Sequence, residues 1–113
     1  MSCLFCDIVA GKIPADIVHE TEDVLAFRDI APQAPVHLLF IPKAHISSCH
    51  EQSVLSSRLY PAIFEAIRET AATLDIAKNG YRVVTNVGSD GGQTVSHLHF
   101  HMLGGRKMNW PPG

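Results

Sequence analysis

The 113 residues carry nine Lys and Arg against eleven Asp and Glu, for a formal net charge of −2, with 46% hydrophobic and 18% charged residues. A chain of this size suits one domain rather than two, and it lacks the basic excess that marks a binder of duplex nucleic acid. The opening "MSCLFCDIVAGKIP" has no basic leader ahead of an apolar stretch, and the best apolar run, Leu38 to Ile41, is far short of the ~20 residues of a membrane span. The expectation is a single domain over residues 1–113, cytoplasmic and open also to the nucleus, with no membrane partner and with residues 104–113 forming a C-terminal arm.

In chain order, Phe5, Ile8 and Val9 have helical spacing, and Gly11 can stop that short helix in a left-handed conformation before Pro14. "ADIVHE" and "DVLAFRD" predict a hairpin around Thr21 and Glu22, "DIAPQAP" a turn region, and "VHLLFIP" a third strand. Leu55, Leu59, Ile63, Phe64, Ile67, Ala71 and Leu74 keep a helical phase that Asn79-Gly80 closes. Pro61 leaves two forms open: one kinked helix, or a looser turn and a helix that begins near the proline. "YRVVTNV" predicts a fourth strand, "GSDGGQ" a tight turn and "TVSHLHFHML" a fifth strand. The fold class is therefore α+β, with a five-stranded, mainly antiparallel sheet, a short N-terminal helix and one longer helix.

The last segment carries the chemistry. His97, His99 and His101 stand at every second position, so an extended chain turns Leu98, Phe100 and Met102 to one face and the three imidazoles to the other. At ~3.3 Å per residue the row is roughly 13 Å long. Such a row could be ordinary polar surface, a metal site, or a nucleophile with flanking acids and bases. The preceding glycine-rich turn and the Thr94 hydroxyl favour the last, because they gather donors for an anion beside nucleophile-capable bases. Cys3 and Cys6, at C-x-x-C spacing, point to a metal or redox role, whereas Cys49 looks incidental.

"HLHFHML" resembles the histidine triad signature, and "FCDIVAGKIPADIVHE", "LAFRDIAPQAPVHLLFIPKAHI" and "GYRVVTNVGSDGGQTVSHLHFHMLGGRKMNWPPG" resemble its Hint branch, the purine nucleoside phosphoramidate hydrolases, over nearly the whole chain. The resemblance implies a homodimer in which two five-stranded halves make a ten-stranded sheet. It implies His99 as the nucleophile that carries the nucleotidyl group, with His101 donating a proton or orienting phosphate oxygens. Asn86, Gly92, Gln93 and Thr94 would line the phosphate and leaving-group side, Asp29 would bond the ribose, and Phe5, Ile8, Ile13, Phe27, Ile30 and Leu39 would enclose the base. Trp110 on the arm would reach the neighbouring subunit's site. Thr94 replaces the serine usual in the branch, Val87 a frequent glutamate and Ser96 a common tyrosine. A zinc arrangement known elsewhere in the superfamily maps onto Cys3, Cys6, His45 and His97, with His50 as a substitute for His45; His97 as a ligand would fix the catalytic strand rather than exchange protons. No organic cofactor is implied. The leading expectation is cleavage of the P–N bond of purine nucleoside 5′-phosphoramidates, releasing AMP or GMP. Hydrolysis of dinucleoside polyphosphates, nucleotidyl transfer and a nucleotide-binding scaffold with little turnover are the alternatives.

Overall fold

The computed structural model describes residues 3–113. Its elements are α1 (Leu4–Val9), β1 (Ile17–Glu20), β2 (Val24–Arg28), β3 (Val36–Pro42), a 3-10 turn over Gln52–Ser56, α2 (Leu59–Thr73), β4 (Tyr81–Val84) and β5 (Phe100–Gly104). The strands form one antiparallel sheet in the order β1-β2-β3-β5-β4. The α+β architecture with a short and a longer helix is as expected.

β2 and β3 are almost uninterrupted apolar runs because both faces of the sheet are covered, and the period of two sorts their side chains between the faces. Val24, Ala26, Leu38 and Phe40 pack with Ile63, Ala66, Ile67 and Ala71 of α2. Leu25, Phe27, Leu39 and Ile41 pack with Phe5 and Ile8 of α1 on the opposite face. Burying a side chain of this size contributes roughly 1.5–3 kcal/mol. The sheet is thus held by both helices, and the α1 face is where the site lies.

Local chemistry sets the boundaries. Cys3 caps α1, its Sγ accepting the Cys6 N–H at 3.4 Å, and Gly11 ends the turn at φ +77°. Thr21 Oγ1 accepts the Asp23 and Val24 N–H groups at 3.3 and 3.0 Å, which tightens the β1–β2 hairpin. Pro61 lies in the first turn of α2, where its missing N–H costs no hydrogen bond, so the 3-10 turn followed by a shorter helix is the form adopted. Leu55 is left outside that helix and exposed, while Phe64 sits on the flank of α2 with its ring edge-on to Phe100 at 5.4 Å.

Two strands are shorter than the sequence predicts by three residues or more at one end. β4 ends at Val84 rather than Val87, and β5 begins at Phe100 rather than Thr94. Carried past Phe40↔Phe100, the β3–β5 register would set Pro42 opposite Leu98, and proline has no N–H to extend the ladder. Leu98 N–H instead donates to Ile46 O at 2.6 Å, and Thr85 Oγ1 donates to His99 O at 2.8 Å. The segment stays extended enough to alternate, because Leu98, Phe100 and Met102 all reach the α2 side. Among the described residues no helix is long and apolar enough to cross a membrane.

Candidate active site and metal cluster

His97 and His99 are buried at 0% and 4% exposure, and His101 is half-buried. The three imidazoles are not equivalent, because each has a different partner on its second nitrogen. His99 Nδ1 donates to the His97 carbonyl at 2.7 Å, which leaves the lone pair on Nε2. Phe5 packs its ring edge-on to His99 at 5.2 Å and to Phe27 at 5.5 Å, so α1 limits how the His99 ring can turn.

His101 has the opposite tautomer, and a residue that sequence reasoning missed is the cause. His37 Nδ1 accepts the Gln33 N–H at 3.0 Å, so its proton is on Nε2, and that group donates to His101 Nδ1 at 2.9 Å. His101 therefore carries its own proton on Nε2. Asp29 Oδ2 lies 3.4 Å from His37 Nε2, with Oδ1 accepting the Ala31 N–H at 2.8 Å. Burial, followed by His99 and His37, lowers His101 to about 4 against a weaker upward pull from Asp29. Burial also lowers His37. The only sequence signal for His37 is a polar residue in the apolar run "VHLLFIP"; its partner is 64 positions away.

A second cluster sits beside the first. Cys3 Sγ, Cys6 Sγ, His45 Nδ1 and His97 Nδ1 lie within 4.8 Å of one another. Around a tetrahedral zinc, sulfur and nitrogen donors stand about 3.5 Å apart and two nitrogens about 3.3 Å. Here His97 Nδ1 is 3.4 and 3.5 Å from the Cys3 and Cys6 sulfurs, His45 Nδ1 is 3.2 Å from Cys6 Sγ, and the two Nδ1 atoms are 3.2 Å apart. His97 Nε2 donates to Pro42 O at 2.8 Å, so Nδ1 presents a lone pair, and burial holds the ring neutral by lowering its pKa. The residues fit a closed Cys₂His₂ site, with His45 rather than His50 in the set. Asp29, His37 and His101 are equally close together, but the proton on His37 Nε2 makes them a hydrogen-bonded chain instead of a ligand set.

The turn after β4 leads into Thr94 and Ser96 beside the cysteine–histidine cluster. Gly91 is required there, since a Cβ would lie 2.3 Å from the Val87 carbonyl oxygen. Thr94 and Ser96 border a cavity of about 620 Å³ together with Ser47, His45 and both cysteines.

A model of the HIT domain matches residues 10–108. The chain belongs to the HIT family. This HIT protein is 50% identical to a HIT family hydrolase from Legionella pneumophila Philadelphia 1, whose crystal structure superposes with a TM-score of 0.95 over 99% of this chain and 100% of that one. It is 44% identical over 117 residues to a 14 kDa zinc-binding protein of Zea mays, spanning 97% of this chain and 87% of the relative. It is likewise 44% identical over 117 residues to adenylylsulfatase HINT1 of Arabidopsis thaliana, spanning 97% of this chain and 76% of the relative.

The remaining residues singled out from the HIT sequence fall into three groups. Phe5, Ile8, Phe27 and Leu39, with Ile13 packed against them, form the apolar cluster on the α1 face. Ile30 stands apart at 102% exposure, and Trp110 at 82%. Asn86 precedes the glycine-rich turn and Gly92 lies within it at φ +80°, while Gln93 directs its amide to backbone groups rather than to the opening of the site.

Proposed function

We propose that this HIT protein cleaves the P–N bond of purine nucleoside 5′-phosphoramidates through a nucleotidyl intermediate on His99, releasing AMP or GMP. The observation that carries the reading is the pair of opposite tautomers on neighbouring rings, a lone pair on His99 Nε2 and a proton on His101 Nε2. His99 Nε2 attacks phosphorus and the P–N bond breaks. The amine needs a proton to leave. The anionic phosphate and Asp29 favour a His101 ring that has taken a second proton from solvent on Nδ1, with the His37 Nε2–H turning from His101 to Asp29 Oδ2, and this imidazolium gives its Nε2 proton to the amine. Water then attacks phosphorus, returns a proton to His101 and frees His99. The base lies against Phe5, Ile8, Phe27 and Leu39, and the ribose against Asp29.

Zinc held by Cys3, Cys6, His45 and His97 would be structural, since four protein donors fill a tetrahedral shell. It would tie α1, and with it Phe5, to the histidine segment. A homodimer joined along β4 suits the sheet, because β4 is an outer strand whereas the other edge, β1, is bulged between Ile17 and His19.

Replacing His99 with alanine tests the chemistry. The expected result is near-total loss of amine release with AMP still bound, and loss of the AMP-sized mass adduct trapped on the wild-type chain. Substantial residual turnover removes His99 from the role. The name of the Arabidopsis relative favours a second reading, adenylyl sulfate as substrate. Sulfate leaves the same phosphorus without needing a proton, so comparing the two substrates, and diadenosine polyphosphates with them, separates the activities.

A further inference from the structure

Gln93 ends the glycine-rich turn, and its side-chain amide is engaged with backbone at both ends. Oε1 accepts the Gly88 N–H at 3.0 Å, and Nε2 donates to the carbonyls of Ser47 at 2.7 Å and Val95 at 2.9 Å. The first bond, with Gln93 N–H to Gly88 O at 3.0 Å, closes the turn on itself. The bond to Ser47 leaves the turn altogether and reaches the segment after β3, two residues beyond His45. Ser47 is itself anchored, its N–H and Oγ donating to Glu51 Oε1 at 2.9 and 3.0 Å. One amide therefore joins the turn that leads into Thr94 to the segment that supplies a cysteine–histidine cluster donor.

We propose that Gln93 is a positioning residue that couples the Cys3–Cys6–His45–His97 cluster to the phosphate-binding turn. Only the phosphate role of the turn rests on the hydrolase reading above. The job requires glutamine: one acceptor and two donors at the end of a two-methylene stem. Glutamate keeps an acceptor for Gly88 and lacks both donors, methionine lacks all three groups, and asparagine is a methylene too short to span to Ser47.

The test uses the full chain and the variants Gln93→Glu and Gln93→Met. Zinc affinity is read by competition with a chromophoric chelator, and amide hydrogen exchange is followed at Gly88 and across residues 45–48. Groups that orient metal ligands are worth about 10- to 100-fold in affinity, so both variants are expected to bind zinc at least about 10-fold more weakly although neither alters a donor. Gly88 protection is expected to survive in Gln93→Glu and vanish in Gln93→Met. Stripping zinc from the wild-type chain is expected to speed exchange at Gly88, with no such response in Gln93→Glu. A wild-type chain that binds no zinc, unchanged affinity in Gln93→Glu, or turn exchange indifferent to zinc overturns the coupling. If Gln93→Met does not fold, Gln93→Glu and the zinc-stripped wild type still decide. None of these readouts requires turnover, so coupling in a chain that releases no amine defeats the hydrolase reading and leaves the inference standing.

Discussion

His37 Nε2 lies 2.9 Å from His101 Nδ1, and this contact decides which nitrogen of His101 faces the site with a proton. His37 has no choice of tautomer, because the Gln33 N–H occupies its Nδ1. His37→Phe frees His101 to place its proton on either nitrogen. Amine release should fall by about 10²-fold, the low end of general acid–base contributions, with AMP affinity little changed. His37→Gln, which restores an N–H near Nδ1, should recover part of the rate. Equal losses in both variants, or a loss confined to KM, would place His37 in ribose or phosphate binding instead.

The same burial sets a pH dependence. His101 is lowered to about 4, so the folded chain stays unprotonated there while an unfolded histidine, at about 6.5, takes up a proton. This contribution is fully present above about pH 6.5 and is lost as pH falls toward 4. After discounting for the half-exposed ring, it is worth about 1–2 kcal/mol. Proton NMR of the free chain should give a His101 midpoint near 4, and added AMP should raise it through the phosphate charge. A midpoint near 6.5 in the free chain would remove the burial argument.

Protein purified without chelators should contain about one zinc per chain, and Cys3→Ser with Cys6→Ser should abolish it. Melting temperature should drop by several degrees, because the cluster joins α1 to the histidine segment. His99 chemistry should weaken without disappearing, since the acceptor for His99 Nδ1 is the His97 backbone carbonyl and not a side chain of the cluster. Full zinc occupancy in the double variant would refute the donor set.

The Arg82 guanidinium donates to Asn109 O at 2.8 Å, so the arm runs back toward β4, and Trp110 is left 82% exposed. An exposed indole on the outer strand side suits a partner subunit. Deleting residues 109–113 should change the ranking of small and bulky amine leaving groups more than it changes AMP affinity. Identical kinetics across such a series would reduce the arm to a terminus.

Phe5 touches both His99 and Phe27, with ring centroids 5.2 and 5.5 Å away. Phe5→Ala should cost about 3 kcal/mol or more in unfolding free energy and weaken AMP binding as well, by opening the wall against which the base lies. Calorimetry and AMP titration on one preparation check both; lost stability with unaltered AMP binding would leave Phe5 a core residue alone.

Much of this was written in local patterns. Alternating apolar and histidine positions put Leu98, Phe100 and Met102 on one side, and that held although residues 97–99 are not strand, because alternation needs an extended backbone and not a completed ladder. The C-x-x-C pair needed only one turn of α1 to bring its sulfurs together, so its chemistry was visible from spacing. Where the strand would stop was not visible, since the register that would set Pro42 opposite Leu98, and the Ile46 carbonyl that takes the Leu98 N–H instead, come from a distant part of the chain. The tautomers were decided still less locally: they require His37 and His101 to face each other across adjacent strands, Gln33 N–H to point at His37, and Pro42 O to lie against His97. Residue types and their periods act through neighbours in the chain and are legible there. The placement of a single proton is a matter of tenths of an ångström between atoms that only the folded sheet brings together.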